Sequence, residues 1–150
     1  MRVVIQRCQK AVCEVKEKVI ASINRGMVIF LGVGKDDDLK DVRYLIEKIL
    51  HLRIFEDQKG KMNLSLLEQD SEILLIPQFT LYADCRRGRR PNFAEAAVSQ
   101  KAEELYLAFL DLVRDKMSAV KGGCFGASMK ITVENDGPVT IILDSDKKNI

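Results

Sequence analysis

The chain has 150 residues, 24 Lys and Arg against 22 Asp and Glu, and 47% hydrophobic residues. At this size folding buries roughly 70% of the unfolded chain's surface, so a core forms without disulfide or metal staples. A net charge of +2 excludes a wholly cationic nucleic-acid-binding surface and makes any basic patch local; no stretch approaches the roughly 20 apolar residues that span a bilayer.

The opening Met1-Arg2-Val3-Val4-Ile5 reads as a strand and lacks the parts of a signal peptide, which predicts a cytoplasmic chain. β-Rich segments follow at 2–9, 11–15 and 19–24, and the continuous apolar run 27–33 predicts a buried strand. Gly32 and Gly34 frame its end; Gly32-Val33-Gly34 alone is too weak a pattern for a phosphate cradle. Asp36-Asp37-Asp38 admits a metal site or a helix start. The helix start is favoured, because Asp37 or Asp38 caps orphan amides and Leu39, Val42, Leu45, Ile46, Ile49 and Leu50 then share one face.

Beyond that helix, 53–55 reads as a short strand and 56–61 as a turn containing Gly60. Residues 71–82 read as a strand pair or a bent strand interrupted at Pro77. A basic loop spans 84–92. A second helix is expected over 99–117, with Ser99 a candidate N-cap and Leu105, Ala108, Phe109, Leu112, Val113 and Met117 as its apolar stripe. Strands return at 129–134 and 139–143 around the turn Asn135-Asp136-Gly137-Pro138, and the polar tail 144–150 is expected to fray. The sum is a single α+β domain over 1–150, mainly antiparallel barrel-like sheets covered by two helices. Its sheet edges and apolar faces need covering, which predicts a homodimer.

His51 is the only histidine, so a Ser-His-Asp or Cys-His arrangement would have to use it, and it falls on the polar side of the first helix near its end. Cys8, Cys13, Cys85 and Cys124 are scattered without a CxxC pair, so free thiols are expected, with no metal and no cofactor. Gln78-Phe79-Thr80-Leu81 has two readings. After Pro77 the backbone either leaves the sheet and exposes amides suited to an oxyanion hole, or forms an edge strand with a proline bulge. Gly137-Pro138 is either a plain turn or a cis peptide presenting two carbonyls in one direction. Arg86-Arg87-Gly88-Arg89-Arg90 is either a solvated loop or a phosphate-contacting one.

Several ordered segments together resemble the D-aminoacyl-tRNA deacylase family. They are Gln6-Arg7, Arg53-Ile54-Phe55, Gly60-Lys61-Met62-Asn63, Gln78-Phe79-Thr80-Leu81, Gly123-Cys124-Phe125-Gly126-Ala127 with Met129, and Asn135-Asp136-Gly137-Pro138-Val139-Thr140. The resemblance runs from about residue 1 to residue 144. It implies a homodimer with active sites at the subunit interface, acting on aminoacyl-tRNA to release the D-amino acid as chiral proofreading. Whether glycyl-tRNA, which has no chirality to reject, is also hydrolysed stays open.

By the same resemblance Gln78, Phe79 and Thr80 form the catalytic segment, with main-chain amides as the oxyanion hole. Gly137 and Pro138 form a cross-subunit Gly-cisPro that holds the substrate amino group and leaves no room for an L side chain. Arg7 holds that loop, and Phe125 and Met129 lie near the terminal adenosine. The 2′-hydroxyl of the terminal ribose assists hydrolysis, which accounts for the missing base. Arg87, Gly88, Arg90 and Pro91 fit the family's next loop; Arg86 and Arg89 add charge, and all four arginines are expected on tRNA phosphates. Pro77 departs from the family's usual serine and removes a hydroxyl from the pocket. Two rivals stand beside this reading: a non-catalytic nucleic-acid-binding module built on residues 86–90, and a small-ester hydrolase using Thr80 as nucleophile.

Overall fold

The computed structural model describes residues 1–146; the part of the expected polar tail at 147–150 lies outside the described residues. The long strand β1 (Arg2–Val15) organises the sheet, where sequence suggested two separate strands. Its first half pairs antiparallel with β3 (Gly26–Gly32) and its second half with β2 (Lys18–Ile23). Along its other side runs β8 (Lys130–Asp144), also antiparallel. From β3 the sheet continues in parallel to β6 (Glu72–Pro77) and then to β7 (Val120–Gly122). The Lys121 ammonium donates to the Ser22 carbonyl, so β7 comes back beside β2 and the sheet curls into a nearly closed barrel. A small hairpin of β4 (Phe55–Glu56) and β5 (Met62–Leu64) stands apart, its turn carrying Gly60 at φ +72°.

Parallel neighbours need crossovers, and the two helices provide them. Helix α1 (Leu39–Leu50) lies in the connection from β3 to β6, and α2 (Ser99–Arg114) in that from β6 to β7. Asp38 caps α1 with a reciprocal capping box to Asp41, so the acidic run starts a helix as expected. Asp37 does not cap; its carboxylate accepts from the Gly34 amide at 2.5 Å and the Tyr82 hydroxyl at 3.3 Å. Val42, Leu45, Ile46, Ile49 and Leu50 are buried, whereas Leu39, in the first turn, is largely exposed. Helix α2 ends at Arg114, earlier than expected, and begins from Val98 without a side-chain cap, so Ser99 is its first residue rather than its N-cap. Its buried stripe is Ala102, Leu105, Tyr106, Phe109, Leu110 and Val113.

The central strands are covered on both faces. Ile5, Met27, Ile29, Ile73 and Leu75 pack with the helices. Cys8, Cys13, Ile23, Val28, Leu74 and Ile76 fill the barrel interior. Burial on both sides is why β3 and β6 read as unbroken apolar runs rather than alternating ones.

Further expectations are corrected. The Asn135-Asp136-Gly137-Pro138 segment is not a hairpin turn: β8 runs straight through it, with Thr140 opposite Gln6 and Asn135 opposite Cys8. Two steps on β1 therefore face five on β8, and the extra residues bulge outward. The second concerns 71–82: the strand stops at Pro77 and the chain turns into a 3-10 turn over Phe79–Tyr82. Strand β7 escaped sequence reading altogether. At the end of β8, Asp144 is buried and bonded to the Arg2 guanidinium at 2.7 Å, so it belongs to the sheet rather than to a tail.

Candidate functional site

At the carboxyl end of β6 the sheet opens into an apolar pocket of about 550 Å³. That volume suits a small organic ligand. Pro77, Gln78 and Phe79 form one wall, α2 contributes Tyr106, and the segment after β7 contributes Phe125 and Met129.

Gln78 is the last residue tied to the sheet, its amide donating to the Leu31 carbonyl at 2.7 Å. The chain then breaks away, and Leu81 and Ala83 donate back to the Gln78 and Thr80 carbonyls at 3.3 and 3.0 Å. In such a turn the leading amides have no acceptor within the turn. Those leading amides belong to Phe79 and Thr80. Gly32 makes room for the departure: a Cβ there would sit 3.0 Å from both the Gln78 carbonyl oxygen and the Leu81 Cβ. At Gly34 a Cβ would lie 2.7 Å from the Tyr82 ring and hydroxyl. These two glycines serve close packing of the turn on β3.

The Thr80 side chain stands outside this pocket. Its hydroxyl accepts from the Gln78 side-chain amide, and the residue is exposed and does not line the pocket. His51 lies at the end of α1, its Nδ1 2.9 Å from the Glu47 carbonyl, and lines no part of the pocket.

Sequence reading missed Tyr106 as a site residue. Its hydroxyl lies 3.1 Å from the Leu75 carbonyl on β6 and 3.0 Å from the Gly123 carbonyl after β7, joining the two strands that carry the pocket walls. Burial pushes this phenol up to about 12, so it remains a neutral O–H. Its ring sits 6.0 Å from that of Phe125. Within an apolar stripe, a tyrosine needs a partner for its polar tip, and that was the available signal.

The other sequence-predicted residues gather elsewhere. Arg7 is 3% exposed and lies against the β8 bulge. It donates to the Asp136 carbonyl at 3.2 Å and the Ile54 carbonyl at 2.6 Å, and pairs with the Asp136 carboxylate at 3.0 Å. The Gly137–Pro138 peptide is cis, and Gly137 has φ +120°. Both residues are exposed, and neither lines the pocket of its own chain. The structure thus unites Gln78, Phe79, Phe125 and Met129 in one place and Arg7, Gly137 and Pro138 in another.

The arginine loop grows from a neck where Asp84 and Asn92 exchange backbone hydrogen bonds at 2.7 and 3.0 Å. Arg86 turns back on this neck, its guanidinium 2.8 and 2.9 Å from the Asp84 carboxylate. That guanidinium holds Asp84 well below the usual carboxylate range, at about 2. Arg87, Arg89 and Arg90 are exposed and have no ion-pair partner among the described residues.

A profile of the family described as D-Tyr-tRNA(Tyr) deacylase matches residues 4–144. A "D-aminoacyl-tRNA deacylase" of Fervidobacterium nodosum is 52% identical over 147 residues, covering 98% of this chain and 99% of that protein. One from Clostridium botulinum is 50% identical with the same coverage. Among solved structures, "c-Myc DNA Unwinding Element Binding Protein" superposes with a TM-score of 0.92 at 38% identity, covering 96% of this chain and 98% of that one. A "probable eukaryotic D-amino acid tRNA deacylase" shares the fold, with a TM-score of 0.82 at 22% identity and coverage of 95% and 97%.

Proposed function

The chain belongs to the D-Tyr-tRNA(Tyr) deacylase family and is a hydrolase of D-aminoacyl-tRNA, and we propose that hydrolysis takes place in the pocket at the end of β6 through main-chain amides rather than a side-chain nucleophile. The observation that carries this reading is the 3-10 turn after Gln78, which leaves the amides of Phe79, on the pocket wall, and of its neighbour Thr80 without an acceptor among the described residues. An ester carbonyl seated there develops its negative charge against dipoles already in place. Water adds to the carbonyl carbon, the bond to the ribose oxygen breaks, and that oxygen leaves as the free hydroxyl of tRNA. Assistance comes from the neighbouring 2′-hydroxyl of the substrate, since no histidine or carboxylate lines the pocket among the described residues of this chain.

Chirality is read by backbone in this account. Gly137 and Pro138 do not line their own chain's pocket, so a second copy brings them to it, and the working unit is a homodimer. The free outer edge of β8, which pairs only with β1 among the described strands, supports such an assembly. A rigid cis dipeptide rejects an L side chain by collision, which attraction alone could not achieve. Phe125 and Met129 receive the terminal adenosine, and Arg87, Arg89 and Arg90 contact tRNA phosphates. We place this activity in the cytoplasm, where aminoacyl-tRNA is used.

The test uses D-tyrosyl-tRNA ending in 2′-deoxyadenosine. Its hydrolysis is expected to fall by at least about 100-fold, the scale of an assisting proton-transfer group, whereas Thr80→Ala costs less than about threefold on the normal substrate. Full activity on the deoxy substrate with an inactive Thr80→Ala would transfer catalysis to the threonine.

A second reading has its own support. The arginine loop holds three guanidiniums with no ion-pair partner among the described residues, and a structure 38% identical carries a DNA-binding title. A purely binding module predicts salt-sensitive affinity for nucleic acid and no ester cleavage.

A further inference from the structure

Phe79 presents more than half of its surface to solvent, with 57% exposed, although it stands at the rim of an apolar pocket. Its ring is braced by Phe93, with centroids 5.0 Å apart at 60°. Phe93 does not line the pocket, so the ring pair extends outward from its mouth. Together the two rings form an aromatic face at the pocket mouth onto which a flat ring can stack.

What lies beside the pair indicates the occupant. Phe93 directly follows Asn92, one half of the neck that closes the arginine loop. Arg90 is three residues before Phe93, at most about 10 Å along an extended chain. An aromatic face at a pocket mouth next to unpaired guanidiniums matches the pattern that binds single-stranded nucleic acid: a π-face for a base and cations for its phosphates.

On the deacylase reading, we infer that Phe79, buttressed by Phe93, is a stacking platform for the base of the unpaired nucleotide next to the terminal adenosine of the tRNA, with Arg87, Arg89 and Arg90 on the adjoining phosphates. Phe79 then has two separate roles. Its amide faces the ester, and its ring grips the 3′ end one nucleotide upstream. Binding energy away from the reacting bond positions that bond.

The test compares intact D-tyrosyl-tRNA with the same substrate made abasic at the nucleotide before the terminal adenosine. For the wild-type protein, kcat/KM is expected to drop about 5- to 150-fold on the abasic substrate, the range for one base–aromatic stack. In Phe79→Leu, which keeps apolar bulk and the backbone amide, intact and abasic substrates should be cleaved at similar rates. Phe79→Trp should restore the difference. Equal losses on both substrates in Phe79→Leu, or a wild-type protein indifferent to the missing base, would overturn the platform while leaving deacylation intact. A wild-type protein that cleaves neither substrate would instead remove the deacylase reading and the subsite with it.

Discussion

Gly137 is the residue at which the proposed chirality filter is most open to test. A Cβ added there would lie 2.9 Å from the Val139 Cγ2 and 3.0 Å from its amide nitrogen, at a φ that L side chains rarely adopt. Gly137→Ala should therefore cost about 1–3 kcal/mol of stability, visible in thermal unfolding. It should also lower the preference for D over L substrate by at least about tenfold, equivalent to about 1.4 kcal/mol. An unchanged preference in a destabilised variant would confine Gly137 to a structural role. Asp84 offers a pH test at the same scale. Its carboxyl is depressed from 3.8 to about 2 by Arg86, so the pair's contribution is complete above pH 3.8 and is lost as pH falls through about 2. An NMR titration should show that low midpoint, moving back toward about 3.9 in Arg86→Gln; an ordinary midpoint in the wild type would mean that the neck pair does not form. Sequence displayed these residues as motifs. It could not show that Arg86 pairs with Asp84 while its three neighbours have no ion-pair partner among the described residues, because that depends on how the loop folds back.

Among the elements, α1 was legible because its cap and its apolar period agree. Helix α2 was legible as a helix, but its stripe was not fully so. Tyr106 and Leu110 are buried in it, while Ala108 and Leu112 are only half-buried. The β8 bulge misled because Asp-Gly is a local turn signal, and pairing along β1 overrides it on both flanks. Strand β7 is three residues with a lysine and a glycine, too short for any period to show. The 3-10 turn has a strand-like composition, and only the room at Gly32 and Gly34 explains why it leaves the sheet. Tyr106 links the elements around the pocket. Tyr106→Phe should cost about 1 kcal/mol of stability, the net worth of a hydrogen bond. On the proposed reading, in which the walls it joins hold substrate, KM should rise with kcat nearly unchanged. A fall in kcat alone would assign the phenol a part in the chemistry.

For the whole molecule, the separation of the candidate residues into two clusters matters most. Gln78, Phe79, Phe125 and Met129 meet at one pocket, while the cis dipeptide lies in the β8 bulge with the buried Arg7 of β1 against it. A net charge of +2 makes any basic surface local, which is why the proposed reading assigns the tRNA contact to the arginine loop. Class and number of helices were readable from periodicity. The separation of the two clusters was not, since it depends on which way a bulge faces in the folded sheet. The most direct measurement is ester loss from matched D- and L-tyrosyl-tRNA, followed with the folded wild-type protein. The account predicts rapid loss of the D ester with the L ester spared. Equal cleavage of both would contradict the backbone chirality filter, and cleavage of neither would contradict the deacylase itself.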